Sequence, residues 1–435
     1  MNTYRVAIVG AGPAGYFAAQ ALFNAQSTDR TFLIDMIERL PTPWGLVRSG
    51  VAPDHQKIKT VSKVFEKIAK QDNFRLFANT ELGKDISLKD LSEVYDAVIL
   101  ATGASSGKKL GIKGEELQNS FSAAEFVSWY NAHPDFTNLK VNLDTDAAII
   151  IGNGNVAIDI ARMLLIDPEK LEPTDIAQHA LPIFKSSKIK KVIICGRRTP
   201  ENAAFTSMEF RNLIKLENFE ISVDDNQLKE SILRISKVED LDREVKNNLH
   251  AMSMVLNQSS KSSKRKLEIM FLVTPLEFKG INHVEEVVFA INKVNNGKVE
   301  TTNEIFSLKA QLVISAIGYE PIEYQGIKIK NGRIENIAGH VKDNIFVVGW
   351  AKRGSVGVIG TNKSDATDVV DLLLKVLKVP KKTTGIEGVL QSNHKFINQI
   401  GWEKINASEV ISGELSGKPR IKESDWNSLI NLGTT

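Results

Sequence analysis

Cysteine is all but missing from these 435 residues, Cys195 being the only one. One thiol excludes an internal disulfide, a cysteine-ligated iron–sulfur cluster and a CxxC redox pair. Cys195 itself lies in Lys191-Val-Ile-Ile-Cys195 and reads as a small buried strand residue. An excess of one charge is lacking too. The formal net charge is only +3, too even to imply nucleic acid, so a charge-driven partner must be read by a local patch. No apolar run reaches the ~20 residues of a membrane span, which argues against an integral membrane protein. The first strand starts at Tyr4 or Arg5, with no room before it for a signal or transit peptide. The expectation is a monomer of the cytoplasm, or of an organelle matrix if the chain is a processed form.

What is present is ordinary in bulk and specific in detail. With 42% hydrophobic and 25% charged residues the chain has a globular composition, and its length allows two or three domains. Two glycine-rich motifs stand out. The first reads Arg5-Val-Ala-Ile-Val-Gly10-Ala-Gly12-Pro-Ala14-Gly15, and the second Ala147-Ala-Ile-Ile-Ile-Gly152-Asn153-Gly154-Asn155-Val156-Ala157. Each follows an apolar run of strand type and precedes helical spacing, the context a dinucleotide fingerprint requires. The first glycine allows the sharp turn, the second lets backbone approach a pyrophosphate, and the third allows close helix–strand packing. The phosphates would then meet unpaired N–H groups at the positive end of the helix dipole. A single motif of this kind is a weak signal, and a plain tight turn explains it as well. Two in tandem suggest two dinucleotides brought together to pass a hydride.

The fold class expected is α/β, with two Rossmann-like dinucleotide-binding domains, the second inserted into the first. Residues 1–105 and 330–435 form the expected first domain, and 106–329 the second. Within these limits the sequence suggests a helix from Lys57 to Gln71, a short strand near Arg75–Ala78 and an apolar strand ending Ala101-Thr-Gly103. Ala310–Gly318 echoes that last strand, 266–307 reads as a hairpin-like region, and a helix is expected over 362–377. The stretch 225–265 is polar and closes on Ser259-Ser-Lys-Ser-Ser-Lys-Arg-Lys266. It reads either as a solvated mobile segment or as a docking patch. From Pro380 onward a packed extension of short elements is expected.

Charges after each motif separate the two nucleotides. The strand Phe32-Leu-Ile-Asp-Met-Ile-Glu38 ends in a carboxylate that accepts ribose hydroxyls and repels a 2′-phosphate, so FAD or NAD fits there and NADP does not. The equivalent strand after the second motif ends in Gly196-Arg197-Arg198. Paired guanidiniums offer forked donors to a phosphate dianion, which suits NADP. Simple surface charge is the competing explanation in both places.

The chain resembles the adrenodoxin-reductase type of ferredoxin–NADP reductase. The resemblance rests on Gly45-Leu-Val-Arg-Ser-Gly-Val-Ala-Pro-Asp-His55, on Gly152–Asp159 with Arg162, and on Gly349-Trp-Ala-Lys-Arg-Gly-Ser-Val-Gly-Val-Ile-Gly-Thr-Asn-Lys363. It extends over nearly the whole length, including Gly401-Trp402 and Gly417-Lys-Pro-Arg420. It implies an FAD domain built from both chain ends and an inserted NADP domain. By matching positions, Glu38 would hold the FAD ribose, while Leu46 and Leu82 would line the FAD site. Trp350 and Gly357-Val358-Ile359 would lie along the flavin. Gly152 to Asn155, with Val156 beside them, would hold the NADP pyrophosphate, Arg197 and Arg198 its 2′-phosphate, and Glu209 would lie near the nicotinamide. Trp44 stands where phenylalanine is common in the family, and Ser355 where proline is common.

The resemblance further implies that hydride passes between NADP(H) and flavin, and single electrons between flavin and a 2Fe–2S ferredoxin or a flavodoxin. The cofactor then carries the difficult chemistry, and the protein fixes distance and orientation. His55, Asp159 and Glu209 are the candidate catalytic side chains, against the alternatives of a loop cap, a first-turn helix acid and a helix start. Arg211, Arg243, Lys264 and Arg265 are candidate docking cations for an acidic carrier. Two other readings compete. An electron-input subunit like that of glutamate synthase usually carries cysteine-ligated clusters, which one cysteine argues against. A non-catalytic FAD/NADP-binding sensor is set against by both intact fingerprints and the glycine-rich Gly354–Gly360 segment.

Overall fold

The structure is a computed structural model, and it describes every residue except 217–218, 237, 239, 241, 257–263, 296, 381–383 and 435. Its described residues divide into two compact units, one of Met1–Ser106, Asn131–Thr137 and Tyr319–Thr435, the other of Gly107–Tyr130 and Asn138–Gly318.

In the first unit the segment Asn2–Val9, apolar from Val6 onward, forms a strand in a six-stranded sheet. The strand order is His340–Lys342, Ile345–Val347, Ala97–Leu100, Asn2–Val9, Arg30–Glu38, Phe74–Ala78, parallel except for the antiparallel outer pair. Val6 and Ile8 face one apolar cluster, which holds the helices Pro13–Asn24 and Thr361–Val376, and Ala7 and Val9 face another. Burial on both faces explains why these strands are nearly unbroken runs of apolar residues. The chain re-enters this unit at Tyr319, earlier than the expected boundary at 330. Tyr319 sets its ring 5.6 Å from that of Trp350, and its N–H donates to Ser355 Oγ at 3.2 Å. Asn131–Thr137 also belongs here, because Asp135 pairs with Arg39 at 2.6 Å and Lys422 Nζ donates to the Asn131 carbonyl.

The second unit repeats the plan. Its sheet runs Ser120–Ser122, Leu312–Ser315, Ala147–Ile151, Lys191–Cys195, Lys266–Met270, Glu220–Val223, all parallel. In both units the fingerprint strand lies between the strand that follows it in sequence and one made later, Ala97–Leu100 in the first and Leu312–Ser315 in the second. Cys195 is buried in mid-sheet, and burial raises its thiol well above the usual range.

Local expectations differ from the structure in four places. The helix expected over Lys57–Gln71 breaks at Thr60 into Gln56–Lys59 and Ser62–Ala69, with Thr60 Oγ1 bonded back to the Lys57 carbonyl. Lys266–Met270 joins the parallel sheet, leaving the antiparallel trio Val273–Lys279, Glu286–Asn295, Lys298–Lys309. The polar stretch 225–265 forms the helices Asp225–Ile235 and Arg243–Leu256, since Leu249, Met252 and Val255 recur at helical spacing and are buried. Its lysine-rich end, 257–263, lies outside the described residues. The C-terminal extension holds a 16-residue helix, Gln399–Glu414, and a further one at Trp426–Thr434.

Candidate functional site

The two fingerprints fold to the same backbone. Gly10 has φ +110° and Gly152 φ +112°, and Gly12 and Gly154 cap their helices at φ −89° and −90°. A Cβ at Gly10 would stand 2.4 Å from the Ala101 carbonyl oxygen, and one at Gly152 would stand 2.2 Å from that of Ala316. Only glycine fits a left-handed turn pressed this closely on the neighbouring strand end. The third position differs. A Cβ at Gly15 would meet the Gly10 carbonyl at 2.1 Å, whereas the second unit has Ala157 there, fully buried.

Around the first turn the donors and acceptors fit an FAD ribose and pyrophosphate. Glu38 Oε2 accepts the Ala11 N–H at 2.8 Å and Oε1 accepts the Leu40 N–H at 2.9 Å. This fixes the carboxylate at the strand tip and leaves lone pairs on both oxygens for ribose hydroxyls. Burial pushes its pKa up despite those two bonds. Ala14 and Leu82 are buried in the walls, and Leu46 opens the short helix Leu46–Ser49. Trp350 starts the helix Trp350–Arg353, whose first turn is held by buried Asp365. That carboxylate accepts the Gly349 N–H at 2.7 Å and Lys352 Nζ at 2.9 Å, and pairs with Arg353 at 3.1 Å. Gly357 and Val358 are exposed, while Ile359 packs on the core. His55 is half-buried and stands at the N-cap position of the short helix Gln56–Lys59, without a side-chain cap bond to it.

The second turn offers groups that fit a phosphorylated dinucleotide. Asn155 Oδ1 accepts the Thr206 N–H at 2.8 Å, which ties the start of the fingerprint helix Asn155–Leu165 to the following loop. Val156 lies beside it in the helix's first turn, half-buried. The Asn153 side-chain amide lies against Gly196. Arg197 and Arg198 are exposed at the strand end, and neither guanidinium has a partner among the described residues. Asn292 sets their backbone, its Nδ2 donating to the Arg197 carbonyl at 2.7 Å. Sequence reasoning missed Asn292 and Asp365, which act through backbone groups and carry no motif of their own. Asp159 and Glu209 bring carboxylate oxygens within 4.8 Å of each other, and Asp159 also pairs with Arg162 at 2.6 Å.

The four docking candidates do not gather into one patch. Arg243 lies near the start of the helix Ser207–Ile214, where Glu244 accepts the Ser207 N–H at 2.6 Å, and Arg211 lies in the last turn of that helix. Lys264 and Arg265 precede the strand Lys266–Met270, beside the far end of the helix Asn155–Leu165, about 16 Å along it from the second fingerprint. Arg265 is also committed elsewhere, its Nη1 donating to the carbonyls of Leu165 and Ile166 and contacting Asp167. No helix among the described residues is long and apolar enough to cross a membrane.

Comparison with known proteins agrees with this geometry. The pyridine nucleotide-disulphide oxidoreductase family model matches residues 4–199. The chain is 40% identical to NADPH-ferredoxin reductase FprA of Mycobacterium tuberculosis over 100% of both chains. It is 36% identical to the mitochondrial NADPH:adrenodoxin oxidoreductase of Arabidopsis thaliana, over 98% of this chain and 94% of that one. The solved structure of Mycobacterium tuberculosis FprA in complex with NADPH matches with a TM-score of 0.92, at 40% identity and full coverage of both. Identity at this level along the entire length bears out the resemblance read from the motifs, and the chain belongs to the NADPH–ferredoxin reductase family of the adrenodoxin-reductase type.

Proposed function

We propose that this chain is an FAD-dependent ferredoxin–NADP(+) reductase, with FAD in the first unit and NADP(H) in the second. One observation carries the assignment. Two turns of the same backbone are followed by opposite charges, Glu38 after the first and Arg197–Arg198 after the second. FAD, when bound, supplies two-electron hydride exchange with NADP(H) and one-electron exchange with an iron–sulfur or flavodoxin carrier. The protein's own part is binding and orientation. Glu38 takes the FAD ribose, and the N–H groups opening the helix Pro13–Asn24 take its pyrophosphate. Trp350 and Gly357-Val358-Ile359 border the flavin. Gly152 to Asn155 hold the NADP pyrophosphate and the two arginines its 2′-phosphate. His55 in the first unit, and Asp159 and Glu209 in the second, serve as positioning or proton-holding groups.

The carrier is a 2Fe–2S ferredoxin or a flavodoxin, acidic on its docking face. Arg211 and Arg243 are the cations we assign to docking, with Lys264 and Arg265 at the other end of the unit left out. The chain acts as a monomer in the cytoplasm or an organelle matrix, where NADPH and such carriers meet. The test is an anaerobic stopped-flow mix of the protein with NADPH and, separately, with NADH. Fast bleaching of the flavin band by NADPH and slow bleaching by NADH is the expected result. A protein that binds FAD but is bleached by neither overturns the reductase reading.

A further inference from the structure

The turn after the first fingerprint is held by the far end of the chain. Trp44 donates its N–H to the Ala11 carbonyl at 2.7 Å, and a Cβ at Gly45 would lie 2.9 Å from Gly12 Cα. This turn therefore shapes the floor of the first nucleotide cradle. Trp44 sits there at φ +84°, a left-handed conformation that a bulky aromatic adopts only where its surroundings over-determine it.

Those surroundings come from residues 398–434. The ring of Trp402 meets Trp44 edge-on with centroids 4.9 Å apart, and the Arg420 guanidinium lies over Trp44 at 5.3 Å. Four residues on from Trp44, Arg48 makes a two-pronged pair with Glu409 at 2.7 and 2.5 Å and lies over Trp402 at 5.6 Å. Glu409 also accepts from Arg420 at 3.2 Å and from the Glu423 N–H at 2.9 Å. Lys422 Nζ donates to the Arg48 carbonyl at 2.9 Å and to Asn131. Arg48, Glu409 and Lys422 are 5%, 3% and 6% exposed. Burying three charges is a costly way to fasten a chain end, since apolar residues of similar size commonly do so as well or better. What forked, charge-assisted bonds add is fixed geometry.

We propose that the C-terminal segment is a positioning clamp for FAD: Glu409 acting through Arg48, and Trp402 with Arg420 acting through Trp44, hold the Trp44–Gly45 turn against Gly12 in its binding shape. The inference rests on the assignment of FAD to the first unit. Glu409, Trp402 and Arg420 act through Arg48 and Trp44, so they are positioning residues. Their loss shows in FAD retention and leaves coenzyme recognition in the second unit alone.

The experiment measures FAD release from diluted holoenzyme by recovery of flavin fluorescence, alongside the NADPH dissociation constant and the thermal midpoint of the apoprotein. In Glu409→Gln the FAD dissociation constant is expected to rise about tenfold, the scale of one charge-assisted bond, with NADPH binding unchanged. Arg420→Met leaves the Arg48–Glu409 pair intact and alters a partly exposed side chain, so it folds; about a threefold rise is expected, less than one such bond. If Glu409→Gln does not fold, Arg420→Met decides alone. An unchanged FAD constant with a lowered apoprotein midpoint overturns the clamp and leaves a simple staple. Failure of the unsubstituted chain to bind FAD would instead remove the assignment underneath, and the clamp with it.

Discussion

Replacing Arg197 and Arg198 by alanine is the sharpest perturbation of coenzyme choice. Both guanidiniums project from the end of the strand Lys191–Cys195 with no partner among the described residues, so their removal breaks no internal contact. The loop keeps its path, because Asn292 holds the Arg197 carbonyl and the Leu272 N–H donates to the Arg198 carbonyl at 3.1 Å. Stability should therefore move by no more than ~0.5 kcal/mol. A charge-assisted bond to the 2′-phosphate is worth ~1.5–3 kcal/mol, and solvent exposure places each arginine at the low end. The pair then contributes about 3 kcal/mol, or roughly a 10²-fold rise in KM for NADPH, and about tenfold for either single variant. NADH lacks the phosphate and should be nearly indifferent. The assay is steady-state ferricyanide reduction with each coenzyme. A parallel loss for NADPH and NADH would refute the reasoning and make the arginines structural.

Three further outcomes follow from the same geometry. Gly10→Ala forces a Cβ into the Ala101 carbonyl at left-handed φ and should yield protein without flavin; Gly152→Ala meets Ala316 in the same way and should stay yellow while NADPH no longer bleaches it. Visible absorbance separates the two, and a yellow Gly10→Ala protein would contradict the cradle. Asn292→Ala removes a buried bond worth ~1–2 kcal/mol from the Arg197 backbone and should raise KM for NADPH roughly tenfold with kcat little changed; an equal loss in kcat would argue for general unfolding. Acid should weaken the fold in two steps, read from urea midpoints against pH. Burial, aided by Arg39 and Arg48, holds His133 down to about 4, so the unfolded chain binds the extra proton and stability falls as pH drops from ~6.5 toward that value. Burial raises the Glu409 carboxyl, but Arg48 outweighs it and holds the group below the usual range; its contribution is present above ~4.3 and lost below. His133→Gln should flatten the first step and Glu409→Gln the second.

The parts of this molecule legible in its sequence are those with local causes. Each fingerprint needs a strand, a tight turn and a helix within some twenty residues, so both could be read directly, as could the charge at each following strand tip. The residues that hold these sites in place act across long stretches of chain. Asp365 reaches back to Gly349, Asn292 to Arg197, and Glu409 to Arg48, with nothing nearby in sequence to announce the pairing. The same holds for Asn131–Thr137, which joins the first unit through Arg39 and Lys422 although the chain on either side belongs to the second. Where a pattern was misread, period was the cause. Lys266–Met270 alternates like a hairpin strand, yet both of its neighbours run parallel to it. The dispersed cations failed as a patch because strand direction puts Arg243 and Arg265 at opposite ends of one unit.

The order of the two units along the chain differs from the order in which they can be finished. Every residue of the second unit has been translated once Gly318 is added, while the first unit still lacks two sheet strands, the helix Thr361–Val376 and the whole C-terminal region. Synthesis at ~5–20 residues per second keeps it waiting for roughly 6 to 23 seconds more. During that interval the strand Asn2–Val9 and its partners are made but uncovered on the side where the helix Thr361–Val376 will lie. The first fingerprint to be translated is thus the last to be completed. Flavin loading therefore waits on the last part of the chain to be made, the part that carries the helix Thr361–Val376 and the residues packed on Trp44.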